Sequence, residues 1–269
     1  MAILRVLWKL QKKIYFDQGK KLKITANIIT LNEEKNIEAV IKSVQKVCDE
    51  VLVVDSLSND RTCEIAESLG AKVIKQAYLG DGPQKAFGAT YASNDWILSI
   101  DADERLDLNA IEEIKNLDLE NSSYDAYSFA RKTFVGKNYI KLWYPDRVTR
   151  LYNRKKCGFS IAKGHAKVET KNIKDLKADM LHYSYDDYVH MVRTTEKFIK
   201  RGAILALEDG QEANNFDPII HGVGALFKTL VLKGGMFHGI NGWNVAIISA
   251  FSSYMKYAVM LDMQKQKNK

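Results

Sequence analysis

A regular alternation of apolar and polar positions begins at Lys23. Ile24–Thr30 is rich in β-branched residues and predicts a strand. In Glu33–Val47 the apolar residues Ile37, Val40, Ile41 and Val44 recur at helical spacing. Glu50–Val54 is a continuous apolar run that ends in Asp55 and predicts a buried strand. Arg61–Leu69 predicts a helix with Gly70 just past its end. Lys72–Lys75 reads as a third strand, Pro83–Tyr91 as a helix with proline in its first turn, and Trp96–Ile100 as a fourth strand ending in Asp101. The order β-α-β-α-β-α-β, with short connections, implies an α/β fold whose parallel sheet carries helices on both faces. Ligands of such sheets bind at the carboxyl ends of the strands, so Thr30–Glu33, Asp55–Asp60 and Asp101–Glu104 are expected along one rim.

The pattern is less regular after residue 105. Tyr124–Arg131 and Thr149–Asn153 predict strands, and Tyr185–Ala206 a helix. From Pro218 the chain is rich in glycine and aromatic residues and then becomes helical. Before the sheet, Ile3, Leu4, Leu7, Trp8, Leu10 and Ile14 form a helical stripe, with Lys9, Lys12 and Lys13 largely off it. The chain therefore divides into a basic amphipathic helix over 1–22, an α/β domain over 23–206, and a helical, membrane-associating extension over 207–269.

Composition sharpens this reading. At 269 residues and 46% hydrophobic, the chain suits one large α/β domain with appendages. The formal net charge is +7, and Arg5, Lys9, Lys12, Lys13, Lys20, Lys21 and Lys23 face a single acid, Asp17, at the start. No nucleic-acid motif follows, so the expected partner of this basic end is an anionic membrane surface and not nucleic acid. Cys48, Cys63 and Cys157 are odd in number and lack CxxC spacing, which suits reduced thiols in a cytosolic compartment. No secretory signal is evident: Arg5 and Lys9 interrupt Ala2–Leu10, and no small-residue cleavage site follows. The longest apolar run, Asn244–Leu261, is broken by Lys256 and is marginal for a membrane span. The expected place is the cytoplasm, peripheral to the inner membrane.

Four constellations carry candidate chemistry. Asp101-Ala102-Asp103 puts two carboxylates on one turn after a buried strand, a donor set for Mg²⁺ or Mn²⁺ together with substrate phosphate. Asp-x-Asp alone is common, and its position after an apolar strand is what makes it informative. In Asp55–Thr62, Asp55 stands at a strand end where it can accept from a base or ribose group, while Ser58 or Asp60 can cap the next helix. Gly80–Lys85 is a loop entering a helix with one cation, suited to phosphate but weak as a signal by itself. Tyr144-Pro145-Asp146-Arg147, Gly164–Glu169 and His182–Tyr185 supply an acid, a cation and two histidines for an acceptor site and its base. Each of these is as readily a satisfied structural polar group.

Taken together, these stretches resemble glycosyltransferase family 2, and within it the bacterial branch of lipopolysaccharide core β-1,4-glucosyltransferases. The stretches that carry the resemblance are Ile29–Glu34, Val54–Ser56, Gly82–Lys85, Trp96–Glu104, Tyr144–Val148, Arg150–Tyr152 and His182–Tyr185, in family order over residues 24–190. The resemblance implies a GT-A (Rossmann-like) nucleotide-sugar-binding domain, a UDP-sugar donor, inversion at the anomeric carbon, and a lipopolysaccharide core or other lipid-linked saccharide as acceptor. It gives Thr30, Asn32, Glu33, Asp55, Lys85, Asp101 and Ala102 to the nucleotide sugar, and Asp101, Asp103 and His182 to the metal.

Two departures stand out. Relatives have glycine after Asp-Ser where this chain has Leu57, and a carboxylate after His165 where this chain has Ala166. That missing carboxylate is of the right type to be the catalytic base. Three explanations follow: an inactivated variant, a base moved to Asp146 or Glu169, or natural loss of transfer. The intact donor motifs favour the first. Two other functions compete with a transferase: a membrane-attached donor-binding protein without a base, supported by Ala166, and a sugar nucleotidyltransferase. The second should carry a glycine- and arginine-rich loop after the first strand, where Thr30–Glu34 stands instead.

Overall fold

The computed structural model describes residues 23–161 and 166–267. The helix expected over 1–22 lies outside them, as does His165.

The chain forms two compact units. One gathers the residues up to Phe129 with Val148–Ala178, and the other Ala130–Arg147 with everything from Asp179 onward. This division falls elsewhere than the 206/207 boundary read from the sequence. Long strands run through it, so no glycine- or proline-rich linker marks it.

The first unit begins as the alternation predicts: β1 (Ile24–Thr30), α1 (Ile37–Val44), β2 (Glu50–Asp55), α2 (Thr62–Ser68), β3 (Lys72–Lys75), α3 (Asp81–Thr90) and β4 (Trp96–Asp101). There follow β5 (Glu104–Leu106), α4 (Leu108–Lys115), β6 (Ala126–Val135), β7 (Asn138–Tyr139), β8 (Asp146–Asn153) and β9 (Ile173–Tyr185). The sheet order is β3-β2-β1-β4-β8-β6-β9-β5, with β7 paired to β6. β1 lies between β2 and β4 and is parallel to both, while β8 runs antiparallel to β4. Ile24, Ala26 and Ile28 of β1, with Ile37, Val40 and Ile41 of α1, are fully buried. Each such aliphatic side chain contributes about 1.5–3 kcal/mol on removal from water, except alanine, which contributes less.

Helix ends are tighter than their apolar patterns suggest. Glu33–Asn36 makes a turn instead of the first turn of α1, with the Glu33 carbonyl accepting from the amides of Asn36 and Ile37. Four elements escape the sequence pattern: β5, α4, the two-residue β7 and the thirteen-residue β9. α4 is capped by the Asp107 carboxylate, which accepts from the Ala110 amide at 2.8 Å.

The second unit carries the far ends of β6 and β9, and then helices α5 (Tyr188–Glu208), α6 (Asp217–Phe227) and α7 (Gly239–Lys267). Between α6 and α7 lie a π-helical turn, Lys228–Leu232, and a 3₁₀ turn, Gly235–His238. Asp187 caps α5 by accepting from the His190 amide. Ala203 and Ala206 of α5 are buried with Met260 of α7, and His221 of α6 stacks on Tyr257 with ring centroids 3.9 Å apart.

Candidate active site

Strand register places the first candidates side by side. Thr30 is the β1 partner of Asp55 on β2, and Ile29 is the partner of Asp101 on β4. The three strand ends thus form one carboxyl rim, as the alternation predicts. The Thr30 hydroxyl there is buried and has no hydrogen-bond partner among the described residues. A buried hydroxyl without a partner is costly unless something else binds it.

The loops leaving β1 and β2 interlock. The Asn32 amide donates to Ser58 Oγ at 2.8 Å, and the Asn59 amide donates back to Asn32 Oδ1 at 2.9 Å. The Glu33 amide donates to Thr62 Oγ1 at 2.7 Å. Asn32 adopts φ 55°, a left-handed conformation that asparagine tolerates. Asp55 is fully buried, and both its oxygens accept from Ser58, from the amide and from the hydroxyl. Its work in this structure is to shape its own loop. Asp60 accepts from the amide and hydroxyl of Thr62, the first residue of α2, while Arg61 at the N-cap makes no side-chain capping bond. The bonds to Asp60, with one from the Glu34 amide, outweigh the desolvation that would raise the Asp60 carboxyl, and hold it below its ordinary value. Leu57 keeps φ 67°, the conformation for which glycine is the natural residue, so the turn survives the substitution as a strained one. Cys48, Cys63 and Cys157 are free thiols. Burial, and then the neighbouring Asp55, push the Cys63 thiol up to about 11.

The charged centre of the rim is Asp101. Lys85 Nζ on α3 lies 2.8 Å from Asp101 Oδ1, and Arg150 Nη2 on β8 lies 2.6 Å from Asp101 Oδ2. Arg150 also binds Glu104, at 2.9 and 2.7 Å. Glu104 is fully buried, and its carboxylate accepts from the Asp101 amide. Burial would lower the Arg150 guanidinium, but Asp101 and Glu104, with Asp103 beyond them, outweigh it and hold the group above its ordinary value. A second arginine extends the network. Arg105 donates to the carbonyls of Ala102 and Glu104 and to Asn36, whose amide group donates to Glu33 Oε2.

α3 is held close to this centre by small residues. A methyl group on Gly88 would lie 2.1 Å from Asn27 Oδ1, and one on Gly82 would lie 2.3 Å from the Ser160 carbonyl. Asn27 Nδ2 donates to the Lys85 carbonyl at 2.8 Å, which fixes the turn that carries Lys85. Ala166 is at the same place: its Cα is 3.7 Å from where a Gly82 methyl would stand, and it packs on the apolar cluster around Phe159 and Val168. Glu169 is exposed on the same ribbon.

The remaining candidates belong to the second unit. Asp146 holds Arg131 through Oδ2. His182 Nδ1 faces Thr133 Oγ1 at 3.1 Å, and its Nε2 faces Ser184 Oγ at 2.8 Å. Among the described residues, no three His, Cys, Asp or Glu side chains are gathered as a metal cluster. What the rim does offer is the partly exposed Asp103, one turn residue beyond the clamped Asp101. That fits a Mg²⁺-type ion, which takes one or two carboxylates and draws its other ligands from substrate phosphate and water.

The model of glycosyl transferase family 2 matches residues 25–174. The chain belongs to that family. An uncharacterized glycosyltransferase of Rickettsia bellii (strain RML369-C) is 31% identical over 91% of this chain and 88% of its own length. The lipopolysaccharide core biosynthesis glycosyltransferase LpsC of Rhizobium meliloti (strain 1021) is 26% identical over 88% of this chain and 92% of its own. A crystal structure of S. aureus TarS 1-349 in complex with UDP-GlcNAc aligns with a TM-score of 0.48 at 16% identity, over 91% of this chain and 92% of that one.

This family 2 enzyme is a glycosyltransferase with a GT-A fold. Sequence reasoning singles out Asp101 and Lys85, which the structure pairs, but misses the pairing of Arg150 with Asp101 and Glu104. The partners are 49 and 46 residues apart, so no local spacing reports them. The available signals are the arginine itself, next to the apolar Leu151 in a predicted strand, and the place of Arg150–Tyr152 among the stretches that resemble the family.

Proposed function

We propose that this glycosyltransferase moves a hexose, with inversion, from a UDP-sugar to a lipopolysaccharide core or other lipid-linked saccharide, using Mg²⁺ or Mn²⁺. The observation that carries the donor half is the rim itself: the orphaned Thr30 hydroxyl beside Asp55, one register step from Asp101. Thr30, Asn32, Glu33 and Asp55 would build the nucleoside end, with Asp55 acting through the loop it holds. Asp101 and Ala102 would border the diphosphate, with Lys85 kept in place by its ion pair. Asp103 would hold the divalent ion, with Asp101 and His182 the further ligands that the family resemblance names. The ion supplies Lewis-acid neutralisation of the leaving diphosphate. Similarity to the lipopolysaccharide core enzyme LpsC supports the acceptor class.

Inverting transfer is a single displacement, so the acceptor hydroxyl needs a proton acceptor as it attacks. Ala166 cannot serve. Asp146 carries an arginine and Glu169 is exposed. An inactivated base position is therefore the reading we favour. Two measurements test it. In a panel of nucleotide sugars scored by thermal shift, a UDP-sugar with Mn²⁺ should stabilise the fold by about 2.7 kcal/mol at a hundredfold excess over Kd. Ala166→Glu should raise sugar transfer to a truncated lipopolysaccharide by at least about tenfold, within the range a positioned base supplies, and leave UDP affinity unchanged. No stabilisation by any nucleotide would reject the donor assignment. An unchanged transfer rate, with turnover lost in Glu169→Gln or Asp146→Asn, would move the base to that residue.

A further inference from the structure

The helices of the second unit carry an exposed apolar surface. On α7, Ile240, Trp243, Ile247, Phe251 and Tyr254 follow one another at helical spacing, and all five are exposed. On α6, Ile220, Val223 and Phe227 do the same. At the junction, Leu232 is 71% and Phe237 83% exposed. An ordinary surface helix turns such a stripe inward. Here the inward positions of α7 are apolar as well, since Val245, Ala246 and Met260 are buried.

The charge pattern is equally one-sided. Between Asp217 and Asp262 there is no Asp or Glu, and the charged residues are Lys228, Lys233 and Lys256. Acids return at once outside those limits, with Glu208, Asp209 and Glu212 just before. Lys228 and Lys233 are exposed and flank the apolar Val231 and Leu232. No single helix among the described residues is long and apolar enough to cross a membrane. The two stretches Asp217–Leu232 and Gly235–Gln266, bent by 67° at their junction, reach that composition together.

We propose that the α6–α7 hairpin is a membrane-docking surface that lies in the headgroup layer of a bilayer containing anionic lipid. A stripe this apolar, fringed only by lysines, matches an interfacial element: side chains enter the acyl boundary while ammonium groups meet phosphates. A second copy of the chain fits less well, because an isologous pairing would set this acid-free face against itself and leave its lysines without counter-charges. The proposal does not depend on the donor assignment.

The test uses the full chain and vesicles of phosphatidylcholine, with and without phosphatidylglycerol. The protein should float with the phosphatidylglycerol vesicles. Phe237→Glu/Ile240→Glu, both at exposed positions, should weaken partitioning by at least about tenfold, the worth of one fully buried apolar side chain. Lys228→Glu/Lys233→Glu should do the same on the anionic vesicles, each lysine being worth about fivefold. UDP binding and the thermal midpoint should be unchanged in all variants, which separates failure of this surface from failure of the donor site. Flotation of both double variants equal to the parent would overturn the proposal. So would loss of flotation on removing residues 1–20 with no effect of either variant. Concentration-dependent dimerisation of the parent that Phe237→Glu/Ile240→Glu abolishes would also overturn it, by assigning the face to a second copy.

Discussion

Arg150 balances three carboxylates in a place that water barely reaches. Its own side chain is 5% exposed and that of Glu104 is fully buried. Removing one member of such a group strands the others, and an uncompensated buried charge costs about 3–5 kcal/mol. Arg150→Met should therefore lower stability by about that amount in urea unfolding, and the double variant Arg150→Met/Glu104→Gln should recover part of the loss. A single variant as stable as the parent would mean that Glu104 is neutral in the fold. At this scale the candidate site is only partly legible. Asp101 and Asp103 can be read because an apolar strand ends on them. Asp55 is legible as important, but its partner is not: nothing local says that Ser58 takes both of its oxygens. Leu57 reads as a departure from a glycine pattern, and its φ of 67° supplies the reason for that pattern.

Among elements, α3 decides how the rim is assembled. Its N-terminal turn carries Lys85 to Asp101, and its two close approaches at Gly82 and Gly88 leave no room for a methyl group. In an exposed helix, Gly→Ala gains about 1 kcal/mol from propensity. Here the sign should reverse. Gly88→Ala should destabilise by about 1–3 kcal/mol, as overpacking does, because its methyl meets the side chain that anchors the Lys85 carbonyl. A thermal midpoint at or above that of the parent would show that Asn27 yields. The glycines of α3 appear in the sequence as part of a weak loop signal, and the packing that requires them does not. The first four strands are legible because each is a short apolar run between turn residues. β9 carries the alternation of a half-buried strand at Leu176, Ala178 and Met180, between Lys177 and Asp179, but no turn signal frames it and the sequence reading passes over it.

At the scale of the molecule, the chain joins two kinds of surface. The first unit presents a charged rim, to which we assign the nucleotide sugar. The second presents an apolar hairpin with no Asp or Glu between Asp217 and Asp262, and the formal charge of +7 has an excess of lysine in both the first 23 residues and this stretch. Family membership and the GT-A sheet were legible from alternation and motif order. The division into units was not, because β6 and β9 pass through it without a linker. We propose that the rim binds a UDP-sugar with a divalent ion held by Asp103. Calorimetry of UDP binding, with and without Mn²⁺, on the parent and on Asp103→Asn tests it most directly. The parent should bind UDP with an affinity that rises on adding Mn²⁺. Asp103→Asn should lose that rise while keeping the parent's thermal midpoint without ligand. A variant that binds UDP and Mn²⁺ as the parent does would contradict the assignment.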